Sequence, residues 1–240
     1  MSSTLQIYGK SWDTISGCTK ISAGCRECYA ERLTEWINGL GTTDKYKAGF
    51  GTVVCHDDAL VGAAGMPLRR KKPQTYFVNS MADTFHENVP LEFTQKIFDV
   101  MHRCPQHTFR VLTKRSDRMA QLASELKYTD NIWAGVSVER QDFTYRIDDL
   151  RKVPARIRWL SLEPLLGPLT LNLDGIHWVI VGGENGQGTN RFRPMDSDWV
   201  RNIRDQCTAA GVKFVFKQFA GKRPVELGRV LDGKTWDERP

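Results

Sequence analysis

The sequence predicts an α/β fold, a parallel partial (β/α) TIM-like barrel of about six to seven strands. Three observations lead to this prediction. Short apolar runs rich in β-branched and aromatic residues recur along the chain, amphipathic segments lie between several of them, and polar residues follow nearly every run. Repeated βα units require right-handed crossovers and a parallel sheet, so the alternation favours a barrel or an open, doubly wound sheet.

The predicted strands begin with an extended piece at 11–15 and continue with six buried runs. These runs lie at 75–79, 108–112, 132–138, 157–162, 177–181 and 212–216. Each has the length and composition of a strand covered on both faces. Helical spacing of apolar residues predicts helices at 29–40, 91–103, 116–126, 143–150 and 199–210. In the first helix, Leu33, Trp36, Ile37 and Leu40 are expected on one face.

Length and composition predict one globular domain over 1–240, with a weakly patterned insertion at about 42–73. The N-terminus lacks a basic region followed by an apolar run, so we expect a cytoplasmic location. A reducing compartment also suits free thiolates. The formal charge of +6 favours a polyanionic partner, and the run Arg69-Arg70-Lys71-Lys72 holds part of the excess. A short basic run is also typical of a solvated loop.

Three of the six cysteines, Cys18, Cys25 and Cys28, fall within eleven residues in a C-x6-C-x2-C arrangement. Structural zinc normally takes four protein ligands, and no second cysteine pair follows. Three thiolates without a fourth suit an iron–sulfur cube in which one iron binds a small molecule. A zinc site with a remote fourth ligand and chance clustering are the alternatives.

Polar residues follow the predicted strands at the edge where a parallel barrel places its chemistry. Any one of them is explained by helix capping or loop solvation, but capping does not account for the whole set. In chain order they are Ser80 to Asp83, Thr113-Lys114-Arg115, Ser137 and Glu139, Ser161 and Glu163, Glu184 and Asn185, and Lys217-Gln218.

Several strings in this order resemble two known groups of proteins. The loop GCTKISAGCRECYAER before a barrel is similar to the cysteine loop of the radical S-adenosylmethionine superfamily. FVNSMADTFHE, FRVLTKRSDR, WLSLEPLLGPL and WVIVGGENG, with that loop, resemble the phage Gp37/Gp68 family, also known as a domain of unknown function. The strand ends are also similar to those of spore photoproduct lyase, a radical enzyme of DNA repair.

The resemblance implies roles for the cluster and cosubstrate residues, and our own hypothesis adds Tyr29 and the residues that face the substrate. Cys18, Cys25 and Cys28 would bind a [4Fe–4S] cluster, and its fourth iron would bind S-adenosylmethionine. Lys114 would contact the carboxylate of this cosubstrate, Ser80 or Asp83 its amino group, and Ser137 with Glu139 its ribose. Tyr29 would contact the adenine. Catalytic positions facing the substrate would be Glu163, Glu184 and Lys217, with Asn185 beside them.

The resulting hypothesis is a radical S-adenosylmethionine enzyme that generates a 5′-deoxyadenosyl radical and modifies or repairs a base in phage DNA. Its partners would be DNA and a reducing electron donor. The alternatives are a zinc-binding, non-catalytic nucleic-acid-binding protein and a radical enzyme acting on a small metabolite or peptide. The sequence departs from the commonest radical spacing, C-x3-C-x2-C, because its first gap has six residues, and Glu27 replaces the usual aromatic residue before the last cysteine.

Overall fold

The computed structural model describes residues 7–61 and 66–240. Its eleven strands are, in chain order, β1 (Lys10–Trp12), β2 (Ile15–Ser16), β3 (Val54–Cys55), β4 (Thr75–Val78), β5 (Thr108–Thr113), β6 (Ile132–Ser137), β7 (Arg158–Leu162), β8 (Trp178–Gly182), β9 (Lys213–Gln218), β10 (Val230–Leu231) and β11 (Lys234–Thr235). The α-helices in the same part of the chain are α1 (Tyr29–Leu40), α2 (Met66–Arg69), α3 (Leu91–His102), α4 (Ser116–Gln121), α5 (Tyr145–Arg151), α6 (Ser197–Ala210) and α7 (Pro224–Leu227).

Seven of the strands form one curled sheet in the order β1-β4-β5-β6-β7-β8-β9, and every neighbouring pair is parallel. Within this sheet the strands follow one another in chain order, as in a (β/α) barrel. The predicted partial TIM-like barrel is therefore confirmed. Its carboxyl ends form one mouth, at which the polar residues that follow the strands meet.

Side chains alternate between the two faces of the sheet and build two separate cores. The outer face packs against the helices through residues such as Tyr76, Val111 and Phe214. The inner face holds a smaller aromatic cluster that includes Trp159 and Trp178. Gly135 lies directly under Trp159, since a Cβ there would be 2.4 Å from the indole ring. This inner cluster fills the barrel below the mouth.

The six buried runs agree with the strands of the structure to within one or two residues, but the piece predicted at 11–15 is divided between β1, which ends at Trp12, and β2, which begins at Ile15. Two helices are shorter than expected. The helix predicted at 116–126 ends at Gln121 and continues as a 3-10 turn, Ala123–Glu125. The helix predicted at 143–150 begins only at Tyr145, after the 3-10 turn Gln141–Phe143. Among the described residues, no helix is long and apolar enough to cross a membrane.

The apolar face of α1 is buried only in part. Trp36 and Leu40 are 62% and 52% exposed, whereas Ala30 and Thr34 are buried. Apolar spacing cannot distinguish which side of a short helix faces the sheet when residues on both sides are apolar. The helix ends at Gly41, whose φ of 62° suits glycine.

The predicted insertion at about 42–73 is largely irregular, and its residues 62–65, like residues 1–6 of the predicted domain, lie outside the described residues. Its strand β3 pairs antiparallel with β2. The basic run Arg69 to Lys72 precedes β4, and the Arg70 carbonyl accepts a hydrogen bond from Gln106, which precedes β5. This run therefore lies at the amino-terminal edge of the sheet, opposite the mouth.

Candidate functional site

The segment from Gly17 to Cys28, here called the thiol loop, leaves the first strands and crosses the mouth of the barrel. Gly17 is required at its start, because its φ is +82° and a Cβ would lie 2.0 Å from the Thr52 carbonyl oxygen. The Cys18 amide donates to the Phe50 carbonyl at 2.7 Å. At the other end, Cys28 immediately precedes α1.

Arg115, after β5, holds the beginning of the thiol loop. Its Nη2 donates to Thr19 Oγ1 at 2.7 Å, and its Nη1 lies 3.6 Å from Cys18 Sγ and 3.3 Å from Asp83 Oδ2. Burial and the charge of Asp83 raise the pKa of Cys18 to about 11, although Arg115 has a lowering effect. Asp83 also accepts two hydrogen bonds from Thr113 Oγ1, at 2.7 and 2.9 Å. The predicted site residue Asp83 thus lies in a buried network beneath the loop.

Glu139, after β6, holds the middle of the loop. Its Oε1 accepts from Ser22 Oγ and, at 3.1 Å, from the Gly24 amide. Its Oε2 pairs with Arg146 at 2.9 Å. Glu139 is 0% exposed, so the structure places this predicted site residue behind the loop.

Arg193, after β8, holds the same stretch from the opposite side. Its Nη1 donates to the Ala23 carbonyl at 3.0 Å. The guanidinium is fixed in turn by Glu184, with Nε–Oε2 2.9 Å and Nη2–Oε1 2.5 Å. The six residues of the first gap, 19–24, therefore contact residues that follow three different strands, β5, β6 and β8.

A cavity of about 530 Å³ lies within the mouth and the upper part of the barrel. Of the residues predicted from the sequence, the following line it: Cys25, Cys28, Tyr29, Ser80, Lys114, Ser137, Glu163, Glu184, Asn185 and Lys217. Apolar side chains, among them Leu33, Phe77 and Leu112, form the rest of its wall. A partly apolar cavity with a few convergent polar groups is typical of a ligand site.

Lys114 is a partly buried cation in this cavity, beside two thiols of the loop. Burial disfavours its charge, but Glu139, Cys25 and Cys28 raise its pKa above the ordinary value. Burial alone raises the pKa of Cys25, but Lys114 and hydrogen bonds from Ile21 and Ser22 outweigh it, and the pKa is lowered. Within residues 7–61 and 66–240, the Lys114 ammonium has no hydrogen-bonded or ion-paired partner. It is free to meet an anion.

Asp13 supplies an acidic group on another wall of the cavity, and sequence analysis missed it. Its Oδ1 accepts from Ser80 Oγ at 3.1 Å and from the Met81 amide at 3.3 Å. Ser80 Oγ is also 2.8 Å from Ser11 Oγ, and the Tyr29 hydroxyl donates to the Ser80 carbonyl. Asp13 directly follows β1, so the strand-end rule applied to that strand would have found it.

A second polar group also lines the cavity, where Lys217 Nζ lies 2.6 Å from Glu163 Oε2. The Tyr8 hydroxyl donates to Glu163 Oε1 and lies 3.4 Å from Ser161 Oγ. Lys217 also stands over the Tyr8 ring, 4.9 Å from its centroid. Tyr8 was missed because it precedes β1, where no pattern in the sequence marks it.

All six cysteines are free thiols, and they differ in surroundings. Cys104 and Cys207 are buried in the outer core. In the part of the chain that the structure describes, no three or more His, Cys, Asp and Glu side chains form a group that could hold a metal ion. The thiol loop nevertheless supplies three sulfur donors and two neighbouring cations, Lys114 and Arg115, which suit a negatively charged cluster.

The fold and the site define a partial (β/α) barrel protein with a thiol loop across its mouth. Residues 2–240 match the family described as "Protein of unknown function (DUF5131)", and the chain belongs to that family. This description gives neither a phage source nor an activity, so the Gp37/Gp68 name stays a prediction. No curated protein matches the chain.

The chain is also similar to solved structures of spore photoproduct lyase. A variant of that enzyme is 12% identical with a TM-score of 0.48, covering 72% of this chain and 55% of its own. The enzyme complexed with dinucleoside spore photoproduct is 12% identical with a TM-score of 0.47, covering 80% and 59%. A variant with bound AdoMet and dinucleoside spore photoproduct is 11% identical with a TM-score of 0.48, covering 82% and 60%. The match thus spans less than two thirds of each lyase chain, and likeness at this level does not identify an activity.

Proposed function

We propose that this chain is an iron–sulfur enzyme of the radical S-adenosylmethionine class that acts on a nucleic-acid base. One observation supports the class above all: Cys25, Cys28 and the unpaired ammonium of Lys114 face the same cavity at the carboxyl ends of a partial parallel barrel. Such an arrangement offers soft donors and an anion site to one small molecule. The family's resemblance to radical enzymes, drawn from its cysteine loop and strand ends, points to the same chemistry.

Cys18, Cys25 and Cys28 would hold the cluster. When bound, a [4Fe–4S] cluster would supply the electron that cleaves the sulfonium of S-adenosylmethionine to a 5′-deoxyadenosyl radical. The protein's own contribution is charge and placement. Arg115 beside Cys18 and Lys114 beside Cys25 offset the negative charge that three thiolates bring into a partly dry site.

The cosubstrate would lie between Lys114 and the Asp13–Ser80 pair. Lys114 would bind its carboxylate through a charge-assisted contact. For the amino group, Ser80 and Asp13 are our assignment in preference to Asp83, because the Asp83 carboxylate is already held by Thr113 and Arg115. Ser137 and Tyr29, which line the same cavity, would contact the ribose and the adenine.

The substrate would enter from the side of Glu163 and Lys217. These two side chains and Tyr8 form a fixed group of donors and acceptors that can orient a polar heterocycle by hydrogen bonds. Glu184 is bound to Arg193 and would act by holding the loop. The assignment of a nucleic-acid substrate is supported by the net charge of +6 and the pI near 9.0. The basic run at 69–72 does not contribute to the mouth.

Anaerobic reconstitution with iron and sulfide tests the class. We expect a cluster in the wild type and in Cys55→Ala, a matched control because Cys55 is also partly exposed but lies outside the loop. Cys18→Ala, Cys25→Ala and Cys28→Ala should each lose it. With reductant and S-adenosylmethionine, the wild type should release 5′-deoxyadenosine.

Addition of DNA tests the substrate. Stimulated 5′-deoxyadenosine release that weakens as salt is added would support a nucleic acid, since phosphate contacts release counterions. Release that is indifferent to DNA would favour a small metabolite or peptide instead. One zinc and no iron per chain after expression and reconstitution would refute the radical class and support a non-catalytic zinc protein.

A further inference from the structure

Glu139 is the only described residue whose side chain bonds to the thiol loop on both sides of Ala23. Its Oε1 accepts from the Ser22 hydroxyl and from the Gly24 amide at 3.1 Å. Gly24 directly precedes Cys25, and Ser22 Oγ lies 3.6 Å from Cys25 Sγ. A movement of Glu139 would therefore be passed directly to Cys25.

The Glu139 carboxylate is itself held rigidly. Its second oxygen pairs with Arg146 at 2.9 Å, and the two side chains are 0% and 1% exposed. Arg146 also donates to the Ser137 carbonyl at 2.8 Å and stacks 4.4 Å from the Phe143 ring centroid. A buried ion pair of this kind contributes little net stability, because desolvation offsets the attraction. Geometric definition is the better explanation for it.

Steric fit at Gly24 supports the same conclusion. A Cβ at Gly24 would be 2.9 Å from Glu139 Oε1, 3.0 Å from Cδ and 3.2 Å from Cγ. The backbone at Gly24 thus packs against the carboxylate more closely than it could with any other residue type at position 24. This contact between the loop backbone and Glu139 therefore requires both a glycine at residue 24 and a carboxylate at residue 139.

We propose that Glu139 is a positioning residue that fixes the loop backbone and so places the Cys25 thiolate in one ligand set with Cys18 and Cys28. The inference rests on the proposed function in that the three thiolates act as one ligand set. It replaces the ribose contact that sequence resemblance assigned to Glu139. The ribose contact requires a carboxylate that reaches the cavity, whereas both oxygens of Glu139 are already bound behind the loop.

Co²⁺ binding to the apo chain tests this inference without enzymatic turnover. The intensity of the thiolate-to-Co²⁺ charge-transfer band counts the sulfurs that bind the ion. We expect Glu139→Gln to lose roughly one third of the band, one thiolate of three, as Cys25→Ala does. Asp142→Asn, a change of the same kind at a 60% exposed carboxylate, should keep it.

Gly24→Ala provides a second route that leaves the buried ion pair in place. It should lose the same share of the band, whereas Gly39→Ala, where a Cβ meets nothing within 4 Å, should not. Circular dichroism and the unfolding midpoint identify any variant that fails to fold. If only one of Glu139→Gln and Gly24→Ala folds, its band intensity tests the proposal. A full three-thiolate band in a folded Glu139→Gln or Gly24→Ala chain would overturn the positioning role alone. No thiolate band in the wild type would overturn the proposed function as well.

Discussion

The Lys217 ammonium lies 2.6 Å from the Glu163 carboxylate, in a pair whose side chains are only 11% and 14% exposed. The Tyr8 hydroxyl donates to the other oxygen of that carboxylate. Both members of the pair come from the ends of strands, β7 and β9, that are separated in the sheet by β8. The pair therefore links two strands across the inner face of the barrel while presenting polar atoms to the cavity.

Removing both members of this pair should cost less than the two single removals added together. Lys217→Met leaves the nearly buried Glu163 carboxylate without its cation, and Glu163→Gln leaves the Lys217 ammonium without its anion. We expect each variant to lower the free energy of unfolding by about 3 kcal/mol. The double variant should lose clearly less than the sum. Urea denaturation of the four proteins measures this coupling. Additive losses would show that the two charges do not interact.

The free energy of unfolding should depend on pH in part through Asp13, and Asp13→Asn should remove that part of the dependence. Burial raises the pKa of Asp13, an effect that Lys45 and hydrogen bonds from Met81 and Ser80 only partly oppose. The folded chain then keeps this proton to a higher pH than the unfolded chain, so its unfolding free energy falls as pH rises above the ordinary aspartate pKa. From about pH 4 upward, until the folded chain has also released this proton, the wild type should lose stability relative to Asp13→Asn.

Urea denaturation across that pH range provides the measurement. Asp142→Asn, at an exposed carboxylate, serves as the control and should run parallel to the wild type. Parallel curves for Asp13→Asn and the wild type would contradict the raised pKa.

Two glycines with the same backbone conformation should respond differently to alanine. Gly17 and Gly49 have φ values of +82° and +79°, but only at Gly17 would a Cβ collide with backbone, at 2.0 Å from the Thr52 carbonyl oxygen. Gly49→Ala should cost about 1 kcal/mol for its left-handed conformation alone. Gly17→Ala should cost at least twice as much and should disturb the thiol loop. Thermal unfolding, with alkylation of Cys18 as a local probe, measures both, and equal costs would contradict the predicted clash.

Trp36 should be energetically close to neutral despite its size. Its side chain is 62% exposed on α1, so Trp36→Ala should change the unfolding free energy by less than about 0.5 kcal/mol. Leu33, on the same helix, packs partly buried against Tyr46 and Met81, and Leu33→Ala should cost at least about 1 kcal/mol. Urea denaturation of the two variants decides between them. A larger loss of unfolding free energy for Trp36→Ala than for Leu33→Ala would contradict the exposed position of Trp36.

Strand periodicity was sufficient to predict the barrel because the sheet is parallel and its strands follow chain order. Residues 178–181 are apolar throughout, a composition typical of a strand covered on both faces. The buried face of α1 was beyond reach because Trp36 and Leu40 are at the spacing of core residues. Their exposure depends on how the helix sits on the mouth, which local sequence does not encode.

The polar residues of the site were predictable as a set and less so in their roles. Strand ends correctly brought Lys114, Ser80 and Glu163 to one cavity. Asp83 and Glu139 occupy equivalent positions in the sequence, yet their carboxylates are turned beneath the loop toward Arg115 and Arg146. Whether a strand-end carboxylate reaches the cavity depends on its partner. Asp83 is bound by Arg115, more than thirty residues later in the chain, and Glu139 is bound by Arg146 in the helix that follows it.

The span of the thiol loop has a consequence for the newly made chain. The hydrogen bonds that hold the loop join Thr19 to a residue 96 positions later, Ser22 to one 117 positions later and Ala23 to one 170 positions later. Contacts of such high sequence separation form late in folding, because the intervening chain must first be ordered. During synthesis the cysteines emerge early but cannot take their final places until β8 and Arg193 have been made. Any metal centre they hold would therefore be assembled only after most of the chain has been made.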